Sequence, residues 1–201
     1  MSVHSTISRG SDRSNMEAPV VLGDDLMSLR LATAADARML ARAAAAFFVD
    51  TFGTTNSRED MESYVATTFS EARQRAELSD ADNRVWLATI GDDVAGYAHV
   101  RRSAAPTGIS SARTRAVEIA RIYAGRRWHG HGLGAALMQA CIATAKEWGG
   151  DVLWLGVWER NPRAIAFYEK NGFQVVGEQP FLLGADLQRD LVMARRLTND
   201  H

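Results

Sequence analysis

Cysteine and lysine are scarce in this sequence, and neither sign of charge predominates. A single cysteine among 201 residues excludes a disulfide framework and a cysteine-rich zinc module, because both need several thiols at defined spacings. With 23 basic and 24 acidic side chains the net charge is −1, which argues against a nucleic-acid partner, since nucleic-acid-binding proteins carry a basic excess. Lys146 and Lys170 are the only lysines, so arginine supplies nearly all of the positive charge.

Long apolar runs are absent as well. No segment approaches the roughly 18 apolar residues that a helix needs to cross a bilayer, so we expect no membrane partner. The N-terminal residues are rich in Ser, Gly and Asn and lack both a hydrophobic period and the apolar region of a secretory signal. We therefore expect residues 1–24 to be a disordered tail, residues 25–198 to form a single domain, and the protein to be cytoplasmic.

Hydrophobic periodicity divides the rest of the chain into alternating strands and helices. Strands are predicted over 28–31, 84–90, 94–100, 117–124, 151–157, 173–177 and 190–194. Helices are predicted over 33–53, 57–69, 71–78, 133–148 and 161–170. Two of these helices begin with capping-box spacings, Thr33 with Asp36 and Ser57 with Asp60. The order of the elements predicts one α/β domain without internal repeats.

The segment 126–134 joins a predicted strand to a long predicted helix and contains three alternate glycines, Gly130, Gly132 and Gly134. Without side chains at these positions, backbone N–H groups can point outward at the positive end of the helix dipole. Such a helix start suits a pyrophosphate. Arg126 and Arg127 lie beside the turn and can add positive charge.

Other interpretations of this turn remain open. It can be a tight strand-to-helix connection that binds nothing. Gly130, Gly132 and Ala135 also fit the dinucleotide pattern G-x-G-x-x-A, although about five residues separate the turn from its strand and little chain follows for a second βαβ half. A Walker A loop is excluded because the sequence has no Gly-Lys-Ser/Thr. His129 and His131 have no cysteine pair beside them, so no metal site is expected.

The stretch His129-Gly130-His131-Gly132-Leu133-Gly134 resembles motif A of the GCN5-related N-acetyltransferase (GNAT) superfamily, Q/R-x-x-G-x-G/A. Downstream, residues 154–173 are similar to motif B as it occurs in PaiA-type polyamine acetyltransferases. The resemblance covers roughly residues 28–196 and is strongest over 117–178. One position departs from the pattern, because His129 replaces Gln or Arg. If its side chain contacts a phosphate, affinity would depend on pH, since histidine titrates near neutrality.

The resemblance implies a mixed central sheet of about six to seven strands flanked by about four helices, splayed between the strands at 117–124 and 152–157. It implies an enzyme that transfers an acetyl group from acetyl-CoA, without a metal, to a primary amine of a small molecule. The amine attacks directly in a ternary complex, and polyamines are one candidate class of acceptor. The resemblance also implies a homodimer, since members of the family commonly form one. The alternatives are a non-catalytic acyl-CoA-binding regulator and the acetylation of a protein N-terminus or lysine.

The same resemblance assigns roles to individual residues. Tyr168 corresponds to the acid that protonates the leaving thiolate, and Asn161, seven residues earlier on the same helical face, corresponds to a ligand of the pantetheine arm. Glu118 is either a general base or an ion-pair partner of Arg101 or Arg121. Period-two alternation places Glu118 on the same strand face as Ile122 and Ala124. The remaining residues assigned to acetyl-CoA are Ile122, Tyr123 and Ala124 through their backbone, and Arg127, His129, Gly130, His131, Gly132, Leu133 and Gly134 around the turn. The acceptor pocket is expected near Phe48, Asp50, Phe52 and Asn56.

Overall fold

A computed structural model describes residues 18–22, 25–106, 108–109 and 114–197. Within these residues the strands are β1 (Ala18–Leu22), β2 (Asp25–Leu31), β3 (Asn83–Ile90), β4 (Asp93–Arg102), β5 (Ala116–Ala124), β6 (Val152–Trp158), β7 (Gln174–Leu183) and β8 (Asp186–Arg196). The helices are α1 (Ala37–Phe52), α2 (Arg58–Thr68), α3 (Glu71–Ser79), α4 (Leu133–Glu147) and α5 (Pro162–Lys170), with short 3-10 helices at Ala34–Asp36 and Arg126–Trp128. The predicted α/β class is confirmed, with the five helices that the periodicity predicts and one strand more than the seven expected. None of the described helices has the length and apolar character needed to cross a membrane.

The N-terminal strand corrects one boundary. Residues 18–22 were predicted to belong to a disordered tail, but they form β1 and pair with β2 in antiparallel register from Ala18–Leu29 to Leu22–Asp25. The composition of residues 18–22 does not predict this strand, because the strand forms by pairing with β2, which lies outside that segment. Residues 1–17 and 23–24 of the predicted tail lie outside the described residues.

The strands form one sheet in the order β1-β2-β3-β4-β5-β6-β8-β7. Every neighbouring pair is antiparallel except β5 and β6, which are parallel and pair only at Ala116–Val152, Val117–Leu153 and Glu118–Trp154. Beyond Glu118 the two strands separate, so the backbone of β5 has no strand partner on that side. The predicted splay between these strands is therefore confirmed.

A β-bulge in β5 changes which side chains share a face. Opposite β4, His99 pairs with Arg121 and Val100 pairs with Ile119, so Ala120 is an extra residue. An extra residue reverses the alternation of the strand beyond it. Glu118 consequently lies on the same face as Arg121, and Ile122 lies on the other face. The prediction that Glu118 shares a face with Ile122 and Ala124 is wrong, because counting in twos assumes a regular strand.

Helices cover both faces of the sheet. On one face α4 buries Leu133, Leu137, Met138 and Cys141 completely, in a cluster that includes β6 and Tyr168 of α5. Burial raises the pKa of the Cys141 thiol, which is a core group. On the other face Leu40 and Phe48 of α1 pack with residues of α2, β3 and β4. The opening between β5 and β6 therefore lies between two hydrophobic clusters, one on each face of the sheet.

Candidate active site

A cleft of about 960 Å³ opens where β5 and β6 separate, and we call it the central cleft. Three segments contribute to its walls: residues 119–124 of β5, the segment 126–134, which we call the glycine turn, and helix α5. Aromatic rings line the rest: Phe47, Phe48, Phe52, Tyr64, Phe69, Trp158 and Phe181. Phe48, Asp50 and Phe52 are thus at the cleft, as expected for the acceptor pocket, whereas Asn56 does not line it.

The glycine turn has the backbone geometry that its sequence predicts. Gly130 and Gly132 have φ angles of +84° and +88°, a left-handed conformation that residues with a Cβ rarely adopt. Gly132 is the N-cap of α4, so the first amides of this helix have no intrahelical acceptor. Gly130, Gly132 and Gly134 all line the central cleft. The turn therefore offers an anion-binding helix terminus to the cleft.

The ring of His129 anchors the turn to the sheet. Its Nε2–H donates to the carbonyl oxygen of Ala124 over 2.8 Å, which joins the start of the turn to the last residue of β5. His131 is exposed and its Nδ1 lies 3.0 Å from the carbonyl oxygen of His129. The side chain of His129 is thus engaged with the backbone, and that of His131 does not line the cleft.

The two arginines of the turn point in different directions. Arg127 forms an ion pair with Asp93 at 2.8 Å, and its guanidinium lies 4.6 Å from the Trp128 ring centroid. Arg126 lines the cleft and donates to the carbonyl oxygen of Asp50. The structure therefore brings Arg126 to the cleft rather than the predicted Arg127. The side chain of Leu133 is also away from the cleft, fully buried in the core.

Asn161 and Tyr168 both reach the cleft from one face of α5, as their spacing predicts. Asn161 is the N-cap, and its Oδ1 accepts from the amide of Ala164 at 3.1 Å, so its Nδ2 hydrogens are the part that can meet a ligand. Tyr168 is 8% exposed and its ring lies 5.5 Å from that of Phe167. Burial, with smaller contributions from Cys141 and Asp190, raises the pKa of Tyr168, so its phenol is protonated near pH 7.

Glu118 is held in an ion pair outside the cleft lining. Its carboxylate accepts two hydrogen bonds from Arg101, at 2.7 and 2.9 Å. Arg121, the other predicted partner, donates instead to Glu77 at 2.7 and 3.1 Å. The ion-pair alternative with Arg101 describes the geometry of Glu118, and the general-base role receives no support from it.

His99 pairs with Arg121 across β4 and β5, with its Nδ1 3.4 Å from Arg121 Nη1, and is 1% exposed. Its Nε2 lies 2.6 Å from Asn83 Oδ1, and burial, reinforced by the charge of Arg121, lowers its pKa to about 3. The imidazole is therefore neutral at physiological pH and belongs to the buried polar network around Glu77. Among the described residues no group of three or more His, Cys, Asp or Glu side chains is placed to hold a metal ion.

Comparison with known proteins identifies the family. Residues 42–173 match the model of the acetyltransferase (GNAT) family. The chain belongs to this family. It is 36% identical over 162 residues to an uncharacterised N-acetyltransferase of Mycobacterium tuberculosis, which spans 81% of this chain and 98% of that protein. It is 33% identical over 150 residues to an uncharacterised N-acetyltransferase of Lactobacillus delbrueckii, spanning 75% and 86% of the two.

The fold of this GNAT acetyltransferase has solved counterparts. The PaiA N-acetyltransferase of Thermoplasma acidophilum, crystallised with coenzyme A, superposes with a TM-score of 0.68 at 20% identity, covering 85% of this chain and 98% of that one. The expectation of a GNAT fold, like that of an acetyltransferase, is confirmed.

The residues of the GNAT enzyme fit acetyl-CoA on the side of the glycine turn. Open space surrounds the position of a Cβ on Gly130, so the backbone there is accessible to a phosphate. Arg126, Arg160, Arg163 and Lys170 add positive charge to the cleft walls. These backbone amides and cationic side chains match the phosphates of acetyl-CoA, a polyanionic nucleotide that carries a thioester.

Asp190 on β8 lies in the cleft of the GNAT enzyme and was not predicted from the sequence. It is 9% exposed, it lines the cleft, and burial raises its pKa to about 6. The sequence offered no local signal, because Asp190 begins a predicted strand far from both motifs. Perturbed carboxyls in clefts are candidates for function.

Proposed function

We propose that this GNAT enzyme acetylates a primary amine of a small cationic molecule, with polyamines as one candidate class, by direct attack in a ternary complex. The observation that carries the proposal is the composition of the cleft on its aromatic side. Phe48 and Tyr64 stack at 4.6 Å, and Phe52 meets Trp158 at 6.0 Å. Aromatic faces attract ammonium groups, and the carboxylates of Asp50 and Asp190 line the same space.

The cation of Arg121 does not oppose such an acceptor. It lines the cleft, but its charge is balanced by Glu77, whose carboxylate accepts two hydrogen bonds from the Arg121 guanidinium. The remaining arginines and Lys170 belong to the glycine turn, α5 and the segment before it. The cations of the glycine turn and α5 therefore suit phosphates, and the carboxylates of Asp50 and Asp190 suit an amine.

Acetyl-CoA supplies the acetyl thioester in this reaction. The glycine turn, Arg163 and Lys170 hold its phosphates, and Asn161 binds its arm. The β5 backbone at 122–124 has lost β6 as a partner, so its N–H groups can polarise a carbonyl oxygen that gains negative charge. Tyr168 keeps its proton near pH 7 and donates it to the sulfur that leaves.

The proposal is tested by incubating the purified protein with acetyl-CoA and a panel of amines. The panel contains spermidine, spermine, lysine, an aminoglycoside and a peptide with a free N-terminus, and free thiol and product mass are followed. We expect the small polycations to give the highest kcat/KM. A higher kcat/KM for the peptide would overturn the proposal that the acceptor is a small molecule. Coenzyme A binding without turnover on any amine would overturn catalysis and support an acyl-CoA-binding regulator.

A further inference from the structure

We propose that Asp190 is a catalytic residue of this acetyl transfer: its carboxylate binds the acceptor's amine in the central cleft and takes up the proton that the nitrogen loses. The inference rests on the proposed function, because it needs an amine as acceptor. It assigns the proton-accepting role to a residue that lies in neither sequence motif.

The fold makes room for this carboxylate. In the sheet Asp190 lies opposite Trp158 of β6 and Gln179 of β7. A Cβ on Gly156 would lie 3.1 Å from Asp190 Oδ2 and 2.8 Å from Gln179 Nε2, so only glycine leaves these two side chains their space. Gly156 and Trp158 line the cleft together with Asp190. The carboxylate therefore borders the aromatic side of the cleft.

The other carboxylates near the cleft are already engaged or exposed. Glu118 is bound by Arg101, and Glu77 is bound by Arg121. Asp50 is exposed at the rim. Among the described residues that line the cleft, Asp190 is thus the only buried carboxylate.

No cation of the described chain neutralises Asp190. The adjacent Arg189 pairs with Glu159 and Glu178 instead, and no described residue forms a hydrogen bond or ion pair with the Asp190 carboxylate. A buried charge without a partner is costly, and burial alone raises the pKa of Asp190 to about 6. The protein maintains an unfavourable carboxylate where an ammonium or amine nitrogen would satisfy it.

The charged and titratable groups around Asp190 are compatible with this role. Tyr64 of α2 and Tyr168 of α5 both have their pKa raised, mainly by burial, with smaller contributions that include the charge of Asp190. Arg121 of β5 and Arg160 after β6 line the same cleft. Gln179 and Trp158, directly beside Asp190, carry no charge. Asp190 is therefore the group in this surrounding that can exchange a proton near neutral pH.

The proton transfers balance. Starting from the neutral amine, a C–N bond forms at the thioester carbonyl carbon and the C–S bond breaks. Asp190 accepts the proton that the nitrogen must lose to become an amide, and Tyr168 donates its phenolic proton to the sulfur. The proton on Asp190 then restores the phenol of Tyr168. Both residues end in their initial states, and the products are an amide and a thiol.

The first test is Asp190→Asn, measured with the panel amine of highest turnover. We expect kcat/KM for the amine to fall about 100-fold or more, the usual range for loss of a general base. The acidic limb of the kcat/KM pH profile, with an apparent pKa near the value of about 6 for Asp190, should disappear. Coenzyme A affinity by calorimetry should stay within about twofold. Glu178→Gln is the matched control, since it removes an exposed carboxylate of the neighbouring strand outside the lining of the central cleft and should keep the acidic limb.

The second test does not depend on turnover. The folded pKa of Asp190 is raised from 3.8 to about 6, so the folded state is favoured when the group is protonated and loses stability as the pH rises through about 6. Asp190→Asn should therefore have a higher Tm than the wild type at pH 8, and the difference should shrink towards pH 4. An equal Tm difference at both pH values would overturn the inference that Asp190 is a buried carboxylate that ionises in the folded protein.

The two proposals fail in different ways. A wild-type enzyme with no turnover on any amine would overturn the proposed function, whatever the stability data show. An active wild type whose acidic limb and kcat/KM survive in Asp190→Asn would overturn the role of Asp190 alone. Gly156→Ala provides a second variant, because the added methyl crowds Asp190 without removing its charge; it should also lower kcat/KM for the amine.

Discussion

The carboxylate of Glu118 and the guanidinium of Arg101 form a two-point ion pair, with hydrogen bonds of 2.7 and 2.9 Å. The two residues lie directly opposite each other on β5 and β4. Their pairing follows from the bulge at Ala120, which separates the face of Glu118 from that of Ile122. This carboxylate is occupied by Arg101 and does not line the central cleft, so its contribution is to the sheet.

We therefore predict that Glu118→Gln lowers stability more than it changes catalysis. Loss of a partly exposed, two-point ion pair should cost about 1 kcal/mol of unfolding free energy. The pH profile of kcat/KM should keep its acidic limb. Urea denaturation of Glu118→Gln, Arg101→Gln and the double variant measures the coupling between the two residues. Loss of the acidic limb in Glu118→Gln would return the general-base role to Glu118.

Replacing Tyr168 by Phe should lower kcat by about 100-fold or more, because the leaving sulfur loses its proton donor. The affinity for coenzyme A should change little, since the ring and its contacts with Phe167 and Phe173 remain. Kinetics and calorimetry on the same preparation separate the two effects. Equal turnover in the variant would remove Tyr168 from the mechanism.

Tyr97→Phe is the matched control for that experiment, since it removes a phenolic oxygen outside the cleft lining. The Tyr97 hydroxyl is buried without a hydrogen-bond partner among the described residues, and burial raises its pKa. Removal of an unsatisfied buried polar group should stabilise the fold by about 1 kcal/mol, with kcat unchanged. Chemical denaturation checks the sign, and a loss of stability would show that the hydroxyl has a partner in solution.

Gly130→Ala should weaken coenzyme A binding, because a residue with a Cβ resists the φ of +84° and shields the backbone amides. We expect about a tenfold rise in Kd and a stability cost of about 1 kcal/mol. Gly91→Ala is the control. Gly91 also has a positive φ, +58°, and open space around a Cβ, but it lies in the turn between β3 and β4. Equal effects of both variants on Kd would contradict the role of the glycine turn.

His129→Gln should preserve coenzyme A binding, since a glutamine amide can also donate to the Ala124 carbonyl. His129→Ala removes that donor and should cost about 1 kcal/mol of stability. Calorimetry at pH 6 and pH 8 tests whether phosphate affinity depends on the imidazole. A strong dependence on pH in the wild type, absent from His129→Gln, would mean that the ring itself contacts the phosphate.

Local patterns predict the parts of this fold that are local in origin. The glycine turn, the start of α4 and the shared face of Asn161 and Tyr168 depend on residues within a few turns of one another. The last two strands are predicted over 173–177 and 190–194 with no pairing assigned, yet β7 and β8 extend over Gln174–Leu183 and Asp186–Arg196 and form a hairpin. Their length depends on pairing with each other around Gly184, whose φ is +60°, and no single window contains both strands.

The family, the order of its elements and the position of Tyr168 on α5 follow from contiguous motifs, so they can be predicted without coordinates. The partners of the charged groups cannot be predicted in this way. Arg101 meets Glu118, and Arg127 turns away from the cleft to Asp93, because strand register and a one-residue bulge decide which distant side chains face one another. Asp190 acquires its raised pKa only when β6, β7 and α2 close around it, since desolvation is a property of the packed structure and not of the neighbouring sequence.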